Sequence, residues 1–175
     1  VRKTDNFDLY TVVPSTAIAI VDSDNMVDLL TLINELDCNK HNNLYNISLL
    51  LSQLKDHINT LLAETPHGFS RQMNKTLISF HEPYNNKNQV YYCRLGVGDR
   101  DIVKKFIKKY CESSFPSKYF DYKGEEITIY SMPDDNFLAC YINSDFFAVS
   151  YQKKLIEQVI DSKLSGESIL DDPGF

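Results

Sequence analysis

The sequence predicts an α+β fold, with a mainly antiparallel sheet and helices packed on one of its faces. Two observations lead to this prediction. Several short runs of strand-forming residues are joined by short polar turns, a pattern typical of β-hairpins. Other stretches carry apolar residues at every third or fourth position, as amphipathic helices do. Because strands and helices do not alternate strictly, an antiparallel sheet is favoured over a parallel one.

The first half of the chain predicts one strand followed by a two-helix arm. The apolar run 15–22, STAIAIVD, lies between Pro14 and an acidic segment and predicts a buried strand. Two amphipathic stripes then predict two consecutive helices. Their apolar residues are Met26, Leu29, Leu30, Ile33 and Leu36 in the first, and Leu44, Ile47, Leu51, Leu54, Ile58, Leu61 and Leu62 in the second.

The second half predicts a hairpin, a helix, a four-strand meander and a closing helix. Asp99 is placed to cap the first of these helices. In order, the segments are KTLISFHEP (75–83), QVYYCRLGV (89–97), the helix 98–114, KYFDY (118–122), EITIYSM (126–132), FLACYIN (137–143), FFAVS (146–150) and the helix 151–164. The predicted order is β-α-α-β-β-α-β-β-β-β-α, in one domain that covers residues 1–175.

Composition argues against several functional classes. The formal net charge is −6, the opposite sign to that of most proteins that neutralise phosphates, so we expect no nucleic-acid partner. No apolar run is long enough for a membrane span. The four cysteines have no zinc-type spacing, and those in strand-like runs predict small buried side chains rather than disulfides; the four are Cys38, Cys93, Cys111 and Cys140. We predict no metal and no cofactor.

The segment Asp22-x-Asp24, at the end of an apolar strand, is the main candidate for catalysis. It is similar to the motif of haloacid-dehalogenase-like phosphatases, in which a nucleophilic Asp precedes an acid/base Asp by two residues and Mg²⁺ neutralises the charges. That motif carries Thr or Val at the position of Met26 and belongs to a parallel sheet. We therefore favour a strand end followed by a helix that Asp24 caps, with a hydrolase using Asp22 and Asp24 as the less favoured alternative.

Two further patterns have a structural interpretation. Gly96-x-Gly98 lies between a strand and a helix, but a dinucleotide-binding turn needs a third glycine where this chain has Asp101. The glycines are therefore expected to let the chain turn sharply. The lysines at 104, 105, 108 and 109 predict a solvated helix face over an apolar stripe, and none of the histidines, His41, His57, His67 and His81, pairs by sequence with a nucleophile.

Four segments together resemble one family along nearly the whole chain. They are VVPSTAIAIVDSDN (12–25), KTLISFHEP (75–83), the block 119–161 and SILDDPGF (168–175). In order and spacing they resemble the bacterial membrane-anchored envelope proteins of domain-of-unknown-function family 3352. The resemblance implies a single membrane or lipid anchor upstream of Val1 and a body outside the cytoplasm, in the periplasm or at the surface. It implies no activity, cofactor or ligand.

In that family the last segment leads into a second half, so we expect this chain to be the amino-terminal module of a longer anchored protein. We predict that it is not an enzyme and that it binds a partner protein, or the missing C-terminal half, or has a structural role. We assign no catalytic, cofactor-binding or metal-binding residue. The alternative is a carrier of a small apolar ligand, with a pocket walled by aromatic side chains: Tyr91, Tyr92, Phe120, Tyr130, Phe146 and Phe147.

Overall fold

Seven strands and two α-helices make up the regular structure of the part of the chain that the computed structural model describes. The described residues are 7–23, 75–82, 88–96, 98–110, 117–131 and 137–174. The strands are β1 (Ala17–Ser23), β2 (Thr76–His81), β3 (Gln89–Arg94), β4 (Lys118–Tyr122), β5 (Glu125–Ser131), β6 (Phe137–Ile142) and β7 (Phe146–Ser150). The helices are α1 (Asp99–Tyr110) and α2 (Lys153–Ser165), and 3₁₀ turns lie at Leu9–Val12 and Ile169–Asp171.

The strands form one sheet in the order β1-β2-β3-β7-β6-β5-β4. Every pair of neighbours among them is antiparallel. The predicted α+β fold with a mainly antiparallel sheet is confirmed, and so is the meander β4-β5-β6-β7 in the C-terminal half. The two-helix arm predicted over residues 26–62 lies outside the described residues and stays a prediction.

The chain reaches the far edge of the sheet through α1. It leaves β3 near the middle of the sheet, runs through α1 to β4 at the edge, and returns strand by strand until β7 pairs with β3. A tight turn precedes α1 at the start of this crossover. Gly98 has a φ of +86° there, a left-handed conformation that glycine adopts more readily than other residues. The interpretation of the glycines as a sharp turn is thereby confirmed for Gly98.

The two helices lie on opposite faces of the sheet, so the prediction of helices on one face is wrong. Glu125 and Glu126 are neighbours in β5 and therefore point to opposite faces. Glu125 accepts a hydrogen bond from Lys163 of α2 at 2.7 Å, whereas Glu126 lies 4.0 Å from Lys104 of α1. Each helix thus covers its own face. No described helix combines the length and the apolar character that a membrane crossing needs.

The face under α2 carries a large apolar core. Tyr92 of β3, Phe146 and Ala148 of β7 and Tyr141 of β6 pack there with the apolar stripe of α2. That stripe consists of Leu155, Ile156, Val159 and Ile160. Full burial of a side chain of this size contributes about 1.5–3 kcal/mol, so this layer is the main source of stability on that face.

The apolar strand β1 is not buried, contrary to the prediction for residues 15–22. It lies at the sheet edge and pairs with β2 alone among the described strands. Ile18 is 51% exposed and Ala19 is exposed as well. A run of apolar residues shows that a strand forms, but burial depends on whether other strands flank it.

The segment Ser168–Asp171 closes the described structure beside the N-terminal residues. Ser168 and Asp171 form a reciprocal capping box around the second 3₁₀ turn. The backbone N–H of Ile169 donates to the carbonyl of Val13 at 2.9 Å, and the Ile169 side chain is buried. Both ends of the described chain therefore join the core under α2. Phe175 lies outside the described residues.

Candidate functional site

Strand β4 forms the exposed edge of the sheet on the side opposite to β1. Among the described strands it pairs only with β5, through five consecutive residue pairs from Lys118–Ile129 to Tyr122–Glu125. Four of its five residues are exposed, and Tyr122 is half-buried. Tyr119 is 55% and Phe120 40% exposed. These two aromatic side chains point to opposite faces, since they are adjacent in a strand.

A tight turn defines the geometry of this edge. Lys123 and Gly124 connect β4 to β5 with φ angles of 52° and 84°. Two positive φ angles in a two-residue loop are typical of the type I′ turn, whose twist matches that of the flanking strands. The Asp121 carboxylate accepts a hydrogen bond from the Gly124 N–H at 2.9 Å. The predicted Lys123-Gly124 hairpin turn is thereby confirmed.

Helix α2 holds the edge strand in place through Asp161. The hydroxyl of Tyr122 donates to the Asp161 carboxylate at 3.0 Å, and the ammonium of Lys123 lies 2.6 Å from the same group. The hydrogen bond to Asp161 raises the pKa of Tyr122 and also that of Lys123. Both groups therefore keep their protons, and the carboxylate keeps both donors, throughout the physiological pH range.

Two further contacts join α2 to the same side of the sheet. Lys153 lies over the ring of Phe120, 4.5 Å from its centroid, in a cation–π arrangement. Lys163 donates to Glu125, and this hydrogen bond lowers the pKa of Glu125 although partial burial opposes the effect. Helix α2 therefore supports β4 on one face of the sheet, and no described strand pairs with the outer edge of β4.

An edge of this kind suits the binding of an extended polypeptide. Main-chain N–H and C=O groups on the outer side of an edge strand can pair with a further strand, and flanking side chains supply selectivity. Strand β4 is regular, whereas β1 has a register shift between Ala17 and Ala19 that interrupts its edge. A bulge is one of the means by which proteins protect an edge from pairing. Of the two edge strands of the described sheet, β4 is therefore the one with a regular edge.

A small cleft of about 110 Å³ lies between α1 and strands β5 and β6. Polar and charged groups dominate its lining, among them Arg100, Lys104, Glu126, Thr128 and Tyr130. Pockets for drug-sized ligands begin at about 300 Å³ and are mostly apolar. The cleft therefore suits water or a small polar molecule better than an apolar ligand.

The aromatic residues predicted to wall an apolar pocket do not share one site. Tyr130 lines the cleft and Phe120 is exposed at the sheet edge. The other four are buried side chains distributed over the two faces of the sheet: Tyr91, Tyr92, Phe146 and Phe147. Their burial contributes to packing, as expected of large aromatic side chains in a core.

A buried polar network surrounds His81 at the end of β2. Its Nε2 lies 2.8 Å from the Ser79 hydroxyl and its Nδ1 lies 3.0 Å from the Thr16 hydroxyl. Ser79 also contacts the hydroxyl of Tyr92 at 2.8 Å. A serine beside an imidazole is a pairing that nucleophilic catalysis uses, but here both side chains are buried and a hydroxyl replaces the orienting carboxylate.

Burial determines the protonation state of this network. It lowers the pKa of His81 to about 4, so the imidazole is neutral at pH 7. Sequence analysis missed the contact between Ser79 and His81. The signal was available, because residues i and i+2 of a strand lie on the same face.

Asp22, the first carboxylate of the candidate catalytic pair, lies near the end of β1. Asp22 accepts a hydrogen bond from the hydroxyl of Tyr10, and burial together with this contact raises the pKa of Tyr10 to about 12. Asp24 lies outside the described residues. The strand that carries Asp22 has an antiparallel neighbour, β2, and not the parallel neighbours of a phosphatase sheet. No three His, Cys, Asp or Glu side chains cluster as metal ligands within the described ranges.

Two of the four cysteines lie in the described part of the chain. Cys93 and Cys140 are free and buried, as predicted, whereas Cys38 and Cys111 lie outside the described residues. Burial raises the pKa of the Cys93 thiol, and the Asp99 carboxylate adds to this effect. Asp99 is the first residue of α1, and its carboxylate accepts a hydrogen bond from the Gly96 N–H, which precedes the helix, at 2.8 Å.

The lysine-rich face of α1 is solvated where it is described. The side chains at 104, 105 and 108 are exposed, while Val103 and Ile107 are buried. This arrangement confirms a charged outer face over an apolar stripe.

Comparison with known protein families identifies the family of this chain. The model of the family described as "Protein of unknown function (DUF3352)" matches residues 55–175, which is more than half of the chain. The chain belongs to this family. No curated protein and no solved structure matches it.

The DUF3352 match contains most of the features described above. It covers six of the seven strands, both helices and the second 3₁₀ turn. The β4 edge, its contacts with α2 and the pair Ser79–His81 all fall inside the match. Asp22 and Tyr10 fall outside it. The predicted family is therefore confirmed. The description of this family names no activity.

Proposed function

We propose that this domain is a non-catalytic protein-binding module that binds an extended segment of a partner protein along β4. The observation that carries the proposal is the open edge of β4, regular in register and flanked by the exposed rings of Tyr119 and Phe120. In this mode the partner's main chain extends the sheet by one strand, while its side chains contact the two aromatic rings. Aromatic side chains are enriched at protein interfaces, which agrees with this assignment.

The rigid support of β4 favours binding. Three residues of or next to this strand, Phe120, Tyr122 and Lys123, are held by Lys153 and Asp161 of α2. Because the strand is held before the partner arrives, little further ordering entropy is lost on binding.

Two observations favour a non-catalytic role for this domain. The Ser79–His81 pair is buried, and Asp22 is engaged by Tyr10 at an antiparallel edge. Neither arrangement gives a nucleophile that a substrate can reach together with a base.

We further propose that the domain belongs to an anchored protein of the cell envelope and lies outside the cytoplasm. The resemblance in segment order described above supports this location. Protease digestion of intact cells or spheroplasts that produce the complete protein tests it. An extracytoplasmic domain is digested while a cytoplasmic marker stays intact, and protection of both would contradict the location.

Site-specific photo-crosslinking tests the binding surface. A photoreactive amino acid at Tyr119 is expected to capture a partner through an extended segment of it, identified by mass spectrometry of the linked peptide. Phe120→Asp in the same chain is expected to abolish the crosslink, because it places a charge in the contact. Phe137→Asp is the matched control, since Phe137 is an even more exposed aromatic residue at 61% and is not in β4. If the crosslink is lost equally in both variants, or persists in both, the β4 edge is not the binding surface.

A further inference from the structure

We propose that the strand bound at β4 is the β4 strand of a second copy of this chain, paired antiparallel about a two-fold axis through Phe120. The inference rests on the proposed binding surface and adds the identity of its partner. Isologous contacts of this kind use the same patch on both copies, so the patch must complement itself. The sequence and contacts of β4 meet that requirement.

One register pairs the whole strand. With Phe120 opposite Phe120 of the second copy, all five residues of β4 find a partner. Antiparallel pairs must point to the same face, so the nearest alternative registers shift one strand by two residues relative to the other and pair three residues only. One of them sets Asp121 against Asp121, a like-charge contact that destabilises a strand pair. The register centred on Phe120 avoids this repulsion.

Charges complement each other across this register. Lys118 would lie opposite Tyr122 of the second copy, with the two Cβ atoms about 5 Å apart. Asp161 of that copy lies beside Tyr122, whose hydroxyl donates to its carboxylate at 3.0 Å, and the carboxylate also pairs with Lys123 at 2.6 Å. Lys118 has no ion-pair partner among the described residues, and its stem is long enough to follow the Tyr122 ring to that carboxylate. The symmetry produces this Lys118–Asp161 contact twice.

The faces of the sheet also match. A two-fold axis perpendicular to the sheet keeps both α2 helices on one face and both α1 helices on the other. On the α2 face, the Phe120 rings meet each other, and each is already covered from within its own copy by Lys153. On the opposite face, Tyr119 lies opposite Asp121 of the second copy. The result is a continuous sheet across two copies in which no described strand other than β1 forms an edge.

Disulfide trapping at the axis is the sharpest test. Residues directly opposite each other in an antiparallel pair have Cα atoms about 4.5 or 5.5 Å apart, and both distances allow a disulfide. With Cys38 and Cys111 replaced by Ser, Phe120→Cys is expected to form a covalent dimer in a glutathione redox buffer. Phe137→Cys, the more exposed control, is expected to stay monomeric. Equal dimer yields for the two variants would overturn the inference.

Sedimentation of variants without new cysteines gives an independent test. The wild-type chain is expected to dimerise as concentration rises, and Lys118→Glu is expected to raise the dissociation constant about tenfold, since two ion pairs become repulsive contacts. Lys105→Glu, an exposed lysine of α1, is expected to leave it unchanged. Circular dichroism confirms that both variants are folded.

The outcome separates this inference from the function it rests on. A wild-type chain that stays monomeric up to millimolar concentration, with no Phe120→Cys dimer, overturns self-association. If Phe120→Asp then still abolishes photo-crosslinking to a different protein, or to another segment of a longer chain, the β4 edge remains a binding surface with another occupant. If that crosslink is also absent, both the inference and the proposed function fail.

Discussion

Protonation of His81 links pH to the stability of the fold. Its imidazole is buried between the hydroxyls of Ser79 and Thr16, and burial lowers its pKa to about 4. In the unfolded chain the imidazole titrates near its ordinary value of about 6.5. Between pH 4 and pH 6.5, His81 is therefore protonated in the unfolded state but largely neutral in the folded state.

The sign of the effect follows from this difference. The contribution of neutral His81 is fully present above pH 6.5, and it is lost as pH falls towards 4, because the unfolded state then binds more protons. The total loss is about 3 kcal/mol for a shift of this size. Denaturant unfolding at pH 7 and pH 4.5 measures most of this loss, with His81→Gln as the comparison. If the variant loses stability with pH as steeply as the wild type, the assignment to His81 is wrong.

At the scale of elements, the β4–β5 turn positions the candidate binding strand. Gly124→Ala is expected to destabilise the fold by about 1 kcal/mol, because a left-handed φ of 84° is unfavourable for a residue with a Cβ. A Cβ at this position would meet no atom within 4 Å, so the cost is conformational and not steric. Thermal unfolding measures it. Gly174→Ala, at a glycine without a left-handed φ, is expected to cost less.

Helix α2 supports both the core and the edge strand. Ile156 is fully buried against the sheet, and Ile156→Ala is expected to lower the free energy of unfolding by about 3 kcal/mol, from lost burial and the cavity that remains. Leu164→Ala in the same helix, at a residue that is 50% exposed, is expected to change it by no more than about 0.5 kcal/mol. Chemical denaturation of both variants compares them. Equal losses would mean that α2 does not pack as described.

At the scale of the whole molecule, strand positions followed from the sequence because local chemistry determines them. Turn residues such as Lys123-Gly124 and runs such as FFAVS marked every described strand. The position of a strand in the sheet is not local. The apolar run of β1 predicted burial, yet it lies at an edge because a single described strand flanks it.

The placement of the helices was wrong for a related reason. An amphipathic helix shows that one side is buried, but it does not show which face of the sheet it covers. The strands contained a hint, since β3, β6 and β7 carry consecutive apolar residues and not an alternation. Runs of this kind indicate strands buried on both faces, which requires cover on both sides.

The candidate binding edge was predictable only in part. KYFDY was recognised as a strand, but its edge position depends on the crossover through α1, which no short motif specifies. The contacts of Asp161 with Tyr122 and Lys123 join residues 38 and 39 positions apart. Spacing of this length has no periodic signal, so the support that α2 gives to β4 appears only in the folded structure.

Residue-resolved hydrogen exchange as a function of protein concentration tests the β4 edge most directly. Amides of β4 that point away from β5 should exchange rapidly in dilute protein and become protected in concentrated protein, while the edge amides of β1 stay unprotected. Protection confined to β4 is the predicted result. Two results would contradict binding along β4. One is rapid exchange of the β4 amides at every concentration and also in the presence of a crosslinked partner. The other is protection of the β1 amides instead.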